Sequence, residues 1–209
     1  MSGKKIVFMG TPEIASIYLQ SLIEAKHNII AVYSQPPKKK GRGMSIQESP
    51  VHKLALLNNI NIFTPINLNS NLTKNKLQDL QPDLIVVMGY GFKLPEYLLH
   101  LPDLGCINVH LSLLPRWRGA APIEHVLLNG DQQTGITIFK LVEKMDAGLI
   151  IAKKTILIDE NINKEILTNK LNSHGTKLLN SILPNIFNKK ITYEKQDENK
   201  ITYAYKIST

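Results

Sequence analysis

Short apolar runs and helix-period patterns alternate along the first third of the chain. An apolar run at 5–9 precedes a helical pattern that ends near Ala25, and a second apolar run follows at 29–33. Strand, helix and strand within about thirty residues form the unit that builds parallel sheets. Thr11 is the predicted N-cap of this helix, and Pro12 is its predicted first residue.

The alternation continues to the end of the chain, where it changes character. We predict helices at 50–58, 72–80, 95–100, 121–129 and 164–183, and strands at 61–63, 83–88, 105–110, 134–142 and 148–158. The last two strands are predicted to be antiparallel neighbours, and 192–205 to form a closing hairpin. The pattern therefore predicts one α/β domain over 1–209, a Rossmann-like, open, mostly parallel sheet flanked by helices with an antiparallel C-terminal edge.

The turn after the first predicted strand lacks the sequence signature of dinucleotide binding. A dinucleotide fingerprint needs three glycines between the first strand and helix, and this turn has only Gly10. We therefore expect no nicotinamide or flavin cofactor.

The segment 35–49 combines prolines, glycines and four positive charges, and it is predicted to be an irregular loop. It is either a solvated basic loop or one that contacts RNA. Its charges are Lys38, Lys39, Lys40 and Arg42.

Composition narrows the possible partners. The chain has 25 basic and 17 acidic residues, a net charge of +8, which permits an anionic partner such as nucleic acid. One cysteine excludes an internal disulfide and a cysteine-based zinc site, and no histidine spacing suggests a metal. The apolar runs are too short to span a bilayer, and the first residues lead directly into a strand. We expect a monomeric cytoplasmic protein.

Candidate chemistry begins at the strand near residue 106. Asn108 and His110 are two positions apart and therefore project from the same face, at the strand end where open α/β sheets bind ligands. Asp146, in the turn-like stretch 142–148, fits either a hairpin turn or a catalytic role on its own spacing. Tyr90 and Phe92 fit equally well a pocket wall or a tight turn with core aromatics.

Two stretches carry a family resemblance. Asn108-Val-His110 followed by Ser112-Leu-Leu-Pro115-Arg-Trp-Arg-Gly-Ala-Ala-Pro-Ile123 resembles the 10-formyltetrahydrofolate-dependent formyltransferases. The Arg-Trp-Arg-Gly-Ala-Ala-Pro extension is most similar to the branch that formylates methionyl-initiator tRNA. The stretch around Asp146 is similar to the family's Met-Asp-x-Gly loop.

The resemblance implies donor, acceptor and site residues. The donor would be 10-formyltetrahydrofolate, the acceptor the α-amine of methionyl-initiator tRNA, and the catalytic residues Asn108, His110 and Asp146, with no metal. The implied folate-binding residues are Ser112, Leu113, Leu114, Pro115, Met88, Tyr90, Phe92, Val142 and Met145. The implied tRNA-binding residues are Arg42, Lys38, Lys39 and Lys40. The family's tRNA enzymes also have a C-terminal β-barrel domain, which we expect to be absent from these 209 residues.

These residue types suit formyl transfer. Asn108 and His110 offer hydrogen bonds to a developing oxyanion, and Asp146 can orient the imidazole. No serine or cysteine is placed as a nucleophile, so we expect direct attack by the acceptor amine. Two alternatives stay open, a sibling enzyme that formylates a nucleotide-linked amino sugar and a non-catalytic RNA-binding module.

Arg42 has a further predicted role. Lysines outnumber arginines in this chain by 22 to three, so a retained arginine suggests a task that lysine does not perform. A planar guanidinium can read or stack on a base, and we expect Arg42 to do so at the acceptor end of the tRNA.

Overall fold

The structure is a computed structural model that describes residues 3–40 and 45–207. Its contacts divide the chain into two compact units, Met1–Cys106 and Ile107–Thr209, each described separately below.

The first unit is built from strand-helix-strand repeats. Its strands are β1 (Ile6–Gly10), β2 (Ile29–Tyr33), β3 (Lys38–Lys40), β4 (Ser45–Gln47), β5 (Ile62–Phe63) and β6 (Leu84–Met88), and its helices are α1 (Glu13–Glu24), α2 (Pro50–Leu57), α3 (Asn71–Leu80) and α4 (Glu96–Leu99). Every residue of β1 and β6 is buried, as expected for continuous apolar runs in a sheet covered on both faces.

The second unit is mostly antiparallel. Its strands are β7 (Cys106–His110), β8 (Arg118–Gly119), β9 (Gln133–Lys140), β10 (Ile150–Leu157) and β11 (Tyr203–Ala204). Cys106, the first residue of β7, is the last residue of the first unit. Its helices are α5 (Pro122–Leu128) and α6 (Lys164–Phe187), followed by a 3₁₀ turn at Glu198–Lys200. Leu114, Phe139 and Ile150 form a buried cluster beside these strands.

The strands of the main sheet confirm the predicted fold class. Its order is β10-β9-β7-β6-β1-β2-β5. The pairs β1–β2, β1–β6 and β2–β5 are parallel, whereas β7–β9 and β9–β10 are antiparallel. The antiparallel C-terminal edge is therefore where the pattern placed it.

The start of α1 corrects a sequence prediction. The helix begins at Glu13, and Pro12 occupies the N-cap position without a side-chain cap. Thr11 is not the cap because its hydroxyl donates instead to the backbone carbonyl of Tyr90, at 2.9 Å.

The prediction that the basic segment 35–49 is irregular is wrong in part. Lys38–Lys40 pairs antiparallel with Ser45–Gln47 to form a two-stranded ribbon. Its strand residues are exposed where their side chains are described. Hydrogen bonds between the two backbones hold this exposed ribbon together. Because no apolar side chain among its described residues is buried, the hydrophobic pattern of the sequence does not predict it.

The predicted closing hairpin at 192–205 is also wrong. Glu194 forms an isolated antiparallel bridge with Ile150, and β11 pairs parallel with β8. The strand partners thus come from distant parts of the second unit rather than from within the segment. Helix α6 also extends beyond the predicted end at 183, through Pro184 to Phe187.

No helix within 3–40 and 45–207 is long and apolar enough to cross a membrane.

Candidate active site

His110 is a buried residue at the end of β7, only 5% exposed. Its Nε2 lies 2.8 Å from the backbone carbonyl oxygen of Trp117. Because a carbonyl oxygen can only accept, Nε2 carries a proton and the remaining nitrogen, Nδ1, is the one whose protonation can change. The ring also packs edge-on against Phe139, with centroids 6.5 Å apart.

Asp146 faces the free nitrogen of that imidazole. Its Oδ2 lies 3.8 Å from His110 Nδ1 and accepts a hydrogen bond of 2.7 Å from the Gly119 backbone N–H. The carboxylate is 12% exposed, and the residue has a φ of 48°, in the left-handed region. The structure therefore brings together two of the three predicted catalytic residues as a largely buried pair.

Asn108, the third, lies on the same strand as His110 and two residues before it, so both side chains leave one face of β7. It is partly exposed. Its side-chain amide makes no hydrogen bond to another residue of the part of the chain that the structure describes. An uncommitted amide beside a fixed imidazole can donate to an oxygen that a substrate brings.

The signature loop, residues 111–121, is stabilised by an acid that sequence reasoning missed. Arg116 Nε and Nη2 donate to the two carboxylate oxygens of Asp131 at 2.9 and 2.7 Å, and Trp117 Nε1 donates to the same carboxylate at 2.8 Å. Burial alone would raise the pKa of Asp131, but the hydrogen bonds from Arg116, Trp117 and Asn129 hold it below its ordinary value. In the sequence, only the Asn129-Gly130 pair before Asp131 offers a local signal, and it is one for a turn.

Arg118, the next residue but one, is completely buried. Its Nε and Nη2 donate to Oε1 of Gln196 at 3.0 and 2.7 Å, and Nη2 lies 3.4 Å from a carboxylate oxygen of Glu198. Gln196 Nε2 donates in turn to the backbone carbonyls of Asp146 and Gly148, at 2.7 and 2.8 Å. No local pattern pointed to Gln196, which the sequence placed in a hairpin.

The predicted folate-binding residues of this unit fall into two groups. Ser112 and Leu114 are buried, and the Ser112 hydroxyl donates to the Arg116 carbonyl at 2.6 Å. Leu113 and Pro115 are partly exposed and line a groove of about 570 Å³ that the residues after α6 complete.

Val142 and Met145 differ from that set, since their side chains are 42% and 54% exposed in the loop that holds Asp146. They are the predicted folate residues of this unit that offer the most apolar surface.

The first unit contains the other predicted folate residues. Met88 and Tyr90 are buried, and Phe92 contacts Tyr90 edge-on with ring centroids 5.5 Å apart. Burial raises the pKa of Tyr90 far above the physiological range, so its hydroxyl stays protonated. Both aromatics thus lie in a packed turn, and their folate contact stays a prediction.

The same unit contains the predicted tRNA-binding residues. Lys38 and Lys39 are exposed on β3, which Lys40 ends. Arg42 lies outside the described residues. Among those described, no group of three metal-ligating side chains is close enough to hold an ion.

Comparison with known proteins identifies relatives of this chain. A family model described as formyl transferase matches residues 4–183. The chain is 42% identical over 204 residues to a methionyl-tRNA formyltransferase of Ehrlichia ruminantium, covering 97% of this chain and 67% of the relative. A methionyl-tRNA formyltransferase of Kosmotoga olearia is 45% identical over 204 residues, covering 98% of this chain and 66% of the relative. The chain thus spans about two thirds of these relatives.

Solved structures share the fold at lower identity. A phosphoribosylglycinamide formyltransferase from Anaplasma phagocytophilum superposes with a TM-score of 0.78 at 18% identity, covering 98% of this chain and all of that one (100%). An N-formyltransferase from Helicobacter canadensis, in complex with folinic acid and dTDP-3-aminofucose, gives a TM-score of 0.74 at 19% identity, covering 97% of this chain and 71% of that one.

Proposed function

The chain belongs to the formyl transferase family, and on that premise we propose that it transfers a formyl group from 10-formyltetrahydrofolate to the α-amine of methionyl-initiator tRNA. The observation that carries the proposal is the pairing of His110 with Asp146 beside the uncommitted amide of Asn108. Relatives named for methionyl-tRNA are 42–45% identical to this chain, whereas the sugar enzyme is 19% identical. Similarity thus favours tRNA over an amino sugar as acceptor.

His110 and Asp146 manage protons in this proposal. With Nε2–H fixed on the Trp117 carbonyl, a second proton can bind the imidazole only at Nδ1, which faces the carboxylate. The negative charge of Asp146 stabilises that proton, and Nδ1 exchanges it with the reacting groups. His110 therefore acts through Nδ1, a position that the sequence did not specify.

Asn108 stabilises charge. During the reaction the amine nitrogen bonds to the formyl carbon, negative charge develops on the formyl oxygen, and the bond to the leaving nitrogen breaks. The Asn108 amide donates to that oxygen, and a donor of this kind contributes about 10²–10³ in rate. The proton that the amine loses is returned, through His110, to the leaving nitrogen.

The chain also favours direct transfer without a covalent enzyme intermediate. The Ser112 hydroxyl, two residues beyond His110, is buried and donates to the Arg116 carbonyl. It is therefore committed to holding the loop. The acceptor amine is then the nucleophile.

Val142 and Met145 suit a flat heterocyclic donor. Their exposed apolar side chains stand in the loop of Asp146, so a ring packed on them would lie beside the carboxylate. The donor supplies only the activated formyl carbon. Asn108, His110 and Asp146 supply the hydrogen bonds and the proton exchange.

A formylation assay tests the proposal. The chain is incubated with 10-formyltetrahydrofolate and either methionyl-initiator tRNA or a nucleotide-linked amino sugar, with Asn108→Ala as the catalytic control. We expect formylmethionyl-tRNA with the wild type and at least about a hundredfold less with the variant. Formylation of the sugar alone, or tRNA binding without formylation, would replace the proposal with one of the two alternatives.

A further inference from the structure

Three consecutive residues of the signature loop make hydrogen bonds in three different directions, two of them to the candidate catalytic residues. The Trp117 carbonyl accepts from His110 Nε2, and the Gly119 N–H donates to Asp146. Between them, the buried guanidinium of Arg118 contacts neither His110 nor Asp146. Its hydrogen bonds go to Gln196 and Glu198, so its influence on the site depends on where those residues lead.

Gln196 connects that guanidinium to the loop of Asp146. Its Oε1 faces Nε and Nη2 of Arg118, and its Nε2 faces the carbonyls of Asp146 and Gly148. The guanidinium has only donors and the carbonyls only accept, so the amide orientation is fixed by its partners. A side chain that could accept from Arg118 but had no N–H to donate would leave the carbonyls of Asp146 and Gly148 without this hydrogen-bond donor.

The loop that Gln196 holds is a constrained one. Asp146 has a φ of 48°, in the left-handed region that is uncommon for residues other than glycine and that aspartate adopts more often than most. A Cβ on Gly148 would meet the Lys140 carbonyl oxygen at 1.6 Å, so the loop lies directly on β9. Two hydrogen bonds from one amide bracket this turn and hold the backbone from which the carboxylate projects.

We propose that Gln196 is a positioning residue for catalysis: its amide links the buried Arg118 to the Asp146 backbone and thereby sets the separation between the Asp146 carboxylate and His110 Nδ1. This inference rests on the proposed function. Gln196 touches no reacting group and acts through Asp146. Its effect is on the turnover step, because the 3.8 Å separation governs proton exchange at Nδ1.

The decisive variant is Gln196→Glu. It keeps the shape of the side chain and an acceptor for Arg118, but it places a carboxylate oxygen against two carbonyls that had a donor. Gln78→Glu is the matched control. It makes the same glutamine-to-glutamate change at an exposed side chain of α3, outside the link to Asp146.

Steady-state formylation of methionyl-initiator tRNA is the first measurement. We expect Gln196→Glu to lower kcat at least about tenfold with the KM for the formyl donor within about twofold, and Gln78→Glu to leave both within about twofold. Equal kcat values for the two variants would overturn the proposal. So would a loss confined to KM, which would mean that Gln196 shapes a binding surface.

A second measurement does not depend on activity. The backbone amide proton of Gly119, bonded to the Asp146 carboxylate, should move upfield in the NMR spectrum of Gln196→Glu and stay in place in Gln78→Glu. An unmoved signal would overturn the proposal even if kcat fell. If the wild-type chain fails to formylate methionyl-tRNA, the proposed function fails, and the Gly119 signal still decides the role of Gln196. Should Gln196→Glu not fold, Gln196→Asn, whose shorter amide cannot reach both partners, replaces it in both measurements.

Discussion

The imidazole of His110 is held at one nitrogen and left available at the other. A backbone carbonyl fixes Nε2–H, which no side-chain substitution at Trp117 can remove directly. Asp146, whose oxygen faces Nδ1, is therefore the side chain through which a substitution can change the chemistry of the ring.

Asp146→Asn should lower kcat by about 10²- to 10⁴-fold, because an amide does not stabilise the proton on Nδ1. The asparagine oxygen can still accept from the Gly119 N–H, so the free energy of unfolding should change by no more than about 1 kcal/mol. Steady-state kinetics and urea unfolding measure the two effects. Asp159→Asn, at a side chain 80% exposed, is the control and should change neither. Wild-type turnover in Asp146→Asn would remove the residue from the mechanism.

Asp131 should make stability depend on acid pH. Its folded pKa is depressed below the ordinary 3.8 because the hydrogen bonds to the charged form outweigh the cost of burial. A carboxyl group whose pKa is lower in the folded than in the unfolded protein stabilises the folded state at pH values above the unfolded pKa. This stabilisation is lost as the pH falls through the folded pKa.

We therefore expect Asp131→Asn to lower Tm at pH 7, and the difference from wild type to shrink progressively below pH 3.8. Thermal unfolding followed by circular dichroism across pH 2–7 measures it. A Tm difference that stays constant over that range would show that the lost contribution is not electrostatic.

At the scale of elements, the loop between β9 and β10 depends on close approach of two backbones. A Cβ at Gly148 would lie 1.6 Å from the Lys140 carbonyl oxygen, which is a backbone atom and cannot rotate away. The position accepts glycine alone without a shift of the loop.

Gly148→Ala should therefore reduce the free energy of unfolding by about 1–3 kcal/mol, the usual cost of forcing an extra methyl group into a packed region. Gly3→Ala is its control, because a Cβ there would meet Asn28 at an ordinary 3.7 Å. Denaturant titrations compare the two. Equal stability of both variants would mean that the β9–β10 loop moves freely.

The elements show what a sequence can and cannot reveal. Continuous apolar runs predicted β1 and β6 because burial on both faces leaves a local pattern. His110 and Asp146 were found through their motifs. The link through Gln196 was not predictable, since it joins residues 50 and 78 positions apart by side-chain hydrogen bonds that leave no periodicity.

The β3–β4 ribbon escaped prediction for a related reason. Its strands are stabilised by backbone pairing at an exposed site, so neither apolar alternation nor burial marks them. The prolines and glycines around it correctly indicated the absence of a packed core element, but they did not distinguish a loop from a ribbon.

At the scale of the whole molecule, the net charge of +8 is compatible with the proposed tRNA acceptor, and Lys38 and Lys39 add exposed charge on the ribbon. Contacts of lysine with phosphate release counterions and do not distinguish sequences.

Replacing both Lys38 and Lys39 with glutamine should weaken binding of initiator and elongator methionyl-tRNA by the same factor. The slope of log affinity against log salt should fall by about one for each lysine that contacts a phosphate. Binding titrations at several salt concentrations measure it, with Lys177→Gln on α6 as the control for charge alone. A change in the ratio of the two affinities would assign these lysines a selective role.

The three contacts made by Trp117, Arg118 and Gly119 have a consequence for how this loop can vary. The contact of Trp117 uses a backbone carbonyl, which every amino acid possesses, so exchanging that side chain leaves the bond in place. Gly119 is different, because its φ is 125° and a Cβ there would meet the Ala204 carbonyl oxygen at 2.6 Å. Inserting or deleting one residue would shift all three groups together and release the histidine, the glutamine and the aspartate at once. The length of this loop and the glycine at position 119 are therefore the properties that inheritance must preserve.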